Sequence, residues 1–347
     1  MALAMTRTAV AGGIVHAVLL ALLVLSGLGS QPLWEDEAVV ALFAGNLAFH
    51  GDYSGWDGVN LTAPRIATGV DDQLRPLEPP LQHYLAAASL RLCGRSAWAV
   101  RLPFALCGLA GLLLFWCWLR GELPQSPGVR QYAFIAAAYS VPMILFLRQG
   151  RYPALTLLLG MAVLLAWRVF AAGRRGGGML LAATLVLLFY AHYLIAFAWL
   201  AALAGQALTL QPRRELLRRG VPVVLVWLAA TVPYTLMFRL WTNTATPTQY
   251  QNGWHYPLAV LRALRDVSSS GFLPWLGAVV AVAAIVRLPR TPVLARARAW
   301  LLFAGAFVLV MTLLSPQPAD DGLPLPTDNW LARHCPRGLE RLLFTAT

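Results

Sequence analysis

Three consecutive acids stand in Trp34-Glu35-Asp36-Glu37-Ala38, just past the first membrane-length apolar run of a chain whose formal net charge is +12. Carboxylates in such a place can bind a cation, pair with arginine or take a proton from a nucleophile. If Asp36 faces a cavity and Glu37 is held beside it, one of them can act as general base toward a hydroxyl. The local alternative is that Asp36 caps a helix over 37–49, because acids favour a first helical turn. A second cluster is Arg148-Gln149-Gly150-Arg151-Tyr152-Pro153. Its guanidinium forks suit phosphate, and an ion pair with the acidic first loop would use them too. His192-Tyr193 is a donor pair able to hold a phosphate or a sugar, or an interfacial aromatic beside a helix-ending histidine. The stretch 241–270 carries Trp241, Tyr250, Trp254, His255 and Tyr256, which can stack on sugars or mark a membrane interface. There is no Walker loop, no HExxH and no Ser/His/Asp arrangement.

The elements that must position these groups are membrane helices. Of 347 residues, 59% are hydrophobic and 12% charged, and the mean hydropathy is +0.62. A water-soluble fold of this size does not need so much apolar surface, so the chain reads as an all-α polytopic membrane protein. All 27 basic residues are arginine. A pI near 10.3 would suggest nucleic acid in a soluble protein. Here the arginines sit in short loops between apolar runs, where membrane orientation accounts for them and no nucleic-acid partner is expected. The all-arginine bias points to a GC-rich, bacterial coding sequence and so to an inner-membrane protein. Cys93, Cys107 and Cys117 lie in or beside apolar segments and read as small buried hydrophobes, with Cys335 in the tail.

Spans of roughly 20 residues fall near 9–28, 98–119, 130–147, 152–171, 221–240, 271–287 and 298–314. Residues 179–210 are too long for one span and are interrupted by Tyr190-Ala191-His192-Tyr193, which predicts two short helices and about nine spans in all. With the N-terminus inside, the arginine-rich loops fall in the cytoplasm; 31–97, Arg148 to Arg151, His192 and 241–270 fall outside. The first outer loop holds eight of the 15 acids. Within it, Val39, Leu42, Phe43 and Leu47 predict an amphipathic surface helix over 36–49. Pro79-Pro80 predicts a second over about 80–93, with Leu81, Leu85 and Leu92 on its apolar face and Gln82, His83 and Arg91 polar.

These residues resemble a known family. Pro32-Leu33-Trp34-Glu35-Asp36-Glu37-Ala38 is similar to the first-loop motif of the GT-C lipid-dependent glycosyltransferases, which include protein O-mannosyltransferase, aminoarabinose transferase and rhizobial lipopolysaccharide transferase-like proteins. Glu78-Pro79-Pro80-Leu81-Gln82-His83-Tyr84-Leu85 resembles their juxtamembrane helix, and Arg101-Leu102-Pro103-Phe104-Ala105-Leu106 the start of the next span. Arg148 to Tyr152 and His192-Tyr193-Leu194 match weaker later positions. The resemblance implies transfer of a sugar from a polyprenyl-phosphate donor to a lipid, glycan or protein acceptor at the extracytoplasmic face, with inversion at the anomeric carbon. It implies Asp36 as the base and Glu37 as its orienting or acceptor-binding partner. Arg148 and Arg151 would hold the donor phosphate, with Tyr152, His192 and Tyr193 beside it, and His83 and Trp254 would contact acceptor or sugar. No cofactor is implied with certainty. A divalent metal on the acids is conceivable, but no ligand set is visible.

Two other readings stand beside this one. A transporter or lipid flippase should show inverted repeats and mid-membrane ionisable groups; no repeat is visible and the acids gather in one loop. The membrane domain is expected over 1–314. Residues 315–347, with Pro324, Pro326, Trp330, His334 and Cys335, carry no span and read as an atypical, frameshifted or disordered tail. That tail suggests a truncated and inactive remnant of the transferase.

Overall fold

A computed structural model describes residues 2–60, 74–76, 78–207, 213–237, 300 and 303. The helices are α1 (Ala2–Leu25), α2 (Glu35–Phe49), α3 (Leu81–Cys93), α4 (Ala97–Glu122) and α5 (Pro127–Ala138), then α6 (Val141–Leu147), α7 (Tyr152–Ala171), α8 (Gly177–Ala191), α9 (Tyr193–Ala207) and α10 (Arg213–Met237). No strand occurs among the described residues. Two units are distinguished: Met1–Tyr193 with Pro222–Phe238, and Leu194–Val221 with Arg239–Thr347. The candidate site residues that are described lie in the first. In the second, the Trp199 ring on α9 packs edge-on against Phe303, with centroids 5.1 Å apart.

Among the described residues α4, α7 and α10 are long and apolar enough to cross a membrane. The single span expected over 130–147 is broken: α5 and α6 meet at 60°. The break follows from Ser140, whose hydroxyl accepts from the Met143 N–H and starts a new helix, and from Pro142, which suits its first turn. His16 of α1 reaches this break, its Nδ1 3.0 Å from the Tyr139 hydroxyl. The interruption expected within 179–210 is present: α8 ends at Ala191, His192 is extended and α9 begins at Tyr193. The expected spans at 271–287 and 298–314 lie outside the described residues, Trp300 and Phe303 excepted.

Two glycines let α4 approach its neighbours, one against α7 and one against α6. A Cβ at Gly111 would stand about 3.0 Å from Leu157 and Leu158, and one at Gly108 would run into Leu147 of α6. Small residues are how apolar helices approach closely without a hydrophobic drive between them. The helices expected over 36–49 and 80–93 form, and of the polar residues expected on α3, Gln82 and His83 are buried while Arg91 is exposed. Gln82, His83, Ala86, Ala87, Ser89 and Leu90 point inward, while Tyr84 is exposed and Leu92 is 86% exposed. A helix at a membrane can turn its leucines outward and keep its polar groups for protein partners. The cysteine expectation fails for the same reason: Cys93 and Cys117 are exposed and Cys107 is half-buried.

One ion pair fixes α2 against this bundle. Glu37 is 1% exposed. Arg101, in the second turn of α4, grips its carboxylate with both fork nitrogens, at 2.9 Å to Oε1 and 2.6 Å to Oε2. The remaining Arg101 donors reach the carbonyls of Leu28, Gln31 and Pro32. Glu37 also accepts from Gly150 N–H at 2.6 Å and from Trp34 N–H at 3.3 Å. One carboxylate therefore joins the α1–α2 linker, the start of α2, α4 and the turn before α7. Glu37→Ala would leave a buried guanidinium without its counter-charge and should cost about 3–5 kcal/mol. Thermal unfolding in detergent checks this, with Arg101→Lys, which loses the bidentate fork, melting between wild type and Glu37→Ala.

Candidate active site

The start of α2 presents Asp36 and Glu37 in different directions. Glu37 points into the clasp, and Asp36 points to a partly open surface with its side chain 40% exposed. Trp34, in extended conformation, is the N-cap residue, and the carboxylate that reaches back to its N–H belongs to Glu37. The capping part considered for Asp36 is thus taken by its neighbour. Asp36 pairs instead with Arg151, Oδ2 to Nη1 at 2.5 Å.

Arg151 is the N-cap residue of α7. Its guanidinium carbon lies 5.1 Å from the Trp34 ring centre and 5.2 Å from that of Tyr152, so aromatic faces flank it as well as Asp36. Tyr152 in turn packs on His192, with ring centroids 4.3 Å apart, and His192 stacks on Tyr193. Burial, and then the Arg151 charge, push the His192 imidazole down to about 4, which keeps it neutral. The fold thus brings Asp36, Arg151, Tyr152, His192 and Tyr193 together from α2, the start of α7 and the α8–α9 junction. Gly150 is required here by space: a Cβ would stand 2.8 Å from Val100 and 3.6 Å from the Glu37 carboxylate.

Three expected residues stand elsewhere. Arg148 donates to the carbonyls of Leu23 and Ser26 at 2.7 and 2.8 Å and so caps the end of α1. His83 is fully buried, its Nδ1 2.7 Å from the Tyr53 hydroxyl and its ring among Phe43 and Tyr53, where it joins α3 to α2 and the following loop. It was expected to contact acceptor or sugar; the inward face of α3 encloses it instead. Trp254 lies outside the described residues.

Two residues went unassigned in the sequence. Glu78 is exposed by area, yet its carboxyl is crowded by protein atoms. That burial pushes its carboxyl up from the usual range; the Arg151 charge opposes the shift and the Asp36 charge adds to it. Gln82 donates to Glu78 Oε2 at 2.8 Å, and the Tyr234 hydroxyl of α10 donates to the Glu78 carbonyl at 2.9 Å. The one signal in the sequence was Glu78 directly before Pro79-Pro80. Among the described residues no group of three or more His, Cys, Asp or Glu side chains is gathered to hold a metal.

Comparison with known proteins places this arrangement. Residues 77–241 match the model of the dolichyl-phosphate-mannose-protein mannosyltransferase family. The solved structure of ArnT from Cupriavidus metallidurans bound to undecaprenyl phosphate superposes with a TM-score of 0.56 at 20% identity, over 88% of this chain. At that identity the likeness is one of fold: the chain shares the helical fold of that ArnT structure. It spans 59% of the length of that ArnT chain. No curated protein matches the sequence. The helix α3 lies within the matched segment, whereas Asp36 and the clasp residue Glu37 precede it.

The buried His83 has a pH signature. Burial holds its imidazole down to about 3, while the unfolded chain takes the proton near pH 6.5. Stability is therefore whole above about pH 6.5 and falls as the pH drops from there toward 3, by up to ~1.4 kcal/mol per pH unit for one proton. Melting temperatures measured between pH 8 and pH 5 should show this decline, and His83→Gln should flatten it.

Proposed function

We propose that this chain is a membrane glycosyltransferase that moves a sugar from a polyprenyl-phosphate donor to a hydroxyl of a lipid, glycan or protein acceptor, at the extracytoplasmic face of a bacterial inner membrane. The observation that carries the reading is the Asp36–Arg151 pair, half-open beside Tyr152, His192 and Tyr193 in a GT-C fold. A carboxylate and a guanidinium side by side supply the two groups such a transfer needs.

In this scheme the acceptor oxygen attacks the anomeric carbon from the face opposite the phosphate. The bond from that carbon to the phosphate oxygen breaks, and its electron pair leaves with the polyprenyl phosphate. The acceptor proton passes to Asp36 as general base. Arg151 meets the charge that grows on the departing phosphate, where a preplaced donor is most effective. Attack from the opposite face inverts the anomeric centre, and the phosphate needs no second carboxylic acid to leave, unlike the leaving group in glycoside hydrolysis. Glu37 acts through position: its clasp fixes the turn from which Asp36 projects and, through Gly150, the turn that carries Arg151. Tyr152, His192 and Tyr193 border the phosphate and sugar. Trp254 is retained as a sugar contact on its sequence position alone.

Membranes bearing the protein, given polyprenyl-phosphate-linked sugars, should transfer sugar to endogenous acceptor. Asp36→Asn should lower transfer by about 10²–10⁴-fold with expression intact; equal activity in that variant would sink the base assignment. Arg151→Ala should lose undecaprenyl phosphate binding, whereas Arg148→Ala should lower the melting temperature instead. The facing is checked by Val59→Cys in a background without the native cysteines: Val59 is 83% exposed, and an impermeant thiol reagent should label it in intact cells. Labelling only after lysis would reverse the orientation.

A further inference from the structure

Gln82 projects inward from the first turn of α3 and is 2% exposed. Both ends of its amide are engaged. The Tyr152 N–H can only donate, so the amide oxygen faces it, at 3.2 Å. The amide nitrogen then points the other way and donates to Glu78 Oε2 at 2.8 Å. Tyr152 N–H belongs to the first turn of α7, whose N–H groups have no partner within the helix. Arg151, the N-cap residue just before it, makes no side-chain cap and carries the guanidinium that meets Asp36. A buried amide with two fixed partners is costly to disturb, since each lost bond strands a polar group.

We propose that Gln82 is a positioning residue: its amide couples the Glu78 carboxylate to the start of α7 and so fixes where Arg151 stands relative to Asp36 and the donor phosphate. The inference rests on the phosphate-binding role proposed above for Arg151. An amide suits the place because it has one donor end and one acceptor end. Leucine has neither. A glutamate at 82 has two acceptor ends and sets a like charge against Glu78. Exchanging the pair, Glu78→Gln with Gln82→Glu, reverses that hydrogen bond without loss. The new amide at 78 donates to the new carboxylate at 82, whose second oxygen still accepts from Tyr152 N–H, and the total charge is unchanged.

The experiment measures binding of undecaprenyl phosphate to the full chain in lipid nanodiscs, with melting temperature recorded for each variant. Gln82→Leu and Gln82→Glu should each weaken binding by about tenfold or more, and the exchanged double variant should return to near the wild-type value. Unchanged binding in both single variants, or a double variant no better than Gln82→Glu, overturns the proposal; Gln82→Glu serves if Gln82→Leu does not fold. Should wild type and Arg151→Ala bind undecaprenyl phosphate equally, the donor-phosphate role of Arg151 fails instead. Gln82 is then judged by melting temperature: recovery in the double variant supports the coupling of 78 to α7, and its absence rejects it.

Discussion

Arg101 gripping Glu37 is the contact from which the rest of the candidate site is built. The guanidinium spends five hydrogen bonds on one carboxylate and three backbone carbonyls that leave the end of α1. The carboxylate spends its remaining capacity on Gly150 and Trp34. A buried ion pair is poor evidence of net stability, because desolvation offsets much of the Coulomb gain. Its value here is geometric: three stretches of chain far apart in sequence, residues 28–37, Arg101 and Gly150, must meet at one point for either charge to be satisfied. Asp36 on one side of that point and Arg151 on the other are carried into register as a consequence.

Around Arg151 the electrostatics are those of one cation shared among several groups. It meets Asp36 directly, its field opposes the upward shift of Glu78, and it helps keep His192 neutral. Aromatic rings flank it.

The second arginine of the same hexapeptide shows how far neighbours can diverge. Arg148 closes the carbonyls at the end of α1, while Arg151, three residues on, faces the site. Gly150 between them carries no side chain because Val100 and the Glu37 carboxylate occupy the space one would need. A turn this short separates an arginine that caps α1 from one that pairs with Asp36, and the two look identical as residue types.

Much of the architecture was legible in the sequence. Runs of about 20 apolar residues, the break at His192 and the proline pair before α3 set the helices, because hydrocarbon forces the backbone to satisfy itself within each segment. The acids of the first loop and their relation to the GT-C motifs marked Asp36. What the sequence could not decide was direction. Apolar periodicity assigns a face to a helix but does not say whether that face meets protein or lipid, so the burial of Gln82 and His83 against protein on α3 could not be read from it. Nor does it pair groups across 64 to 125 residues: that Glu37 belongs to Arg101, Asp36 to Arg151 and Arg148 to the end of α1 follows only from which helices pack together. Residue types and their periodicity are local properties written along the chain, whereas a partner is a property of distance in space, and only the packed bundle sets that.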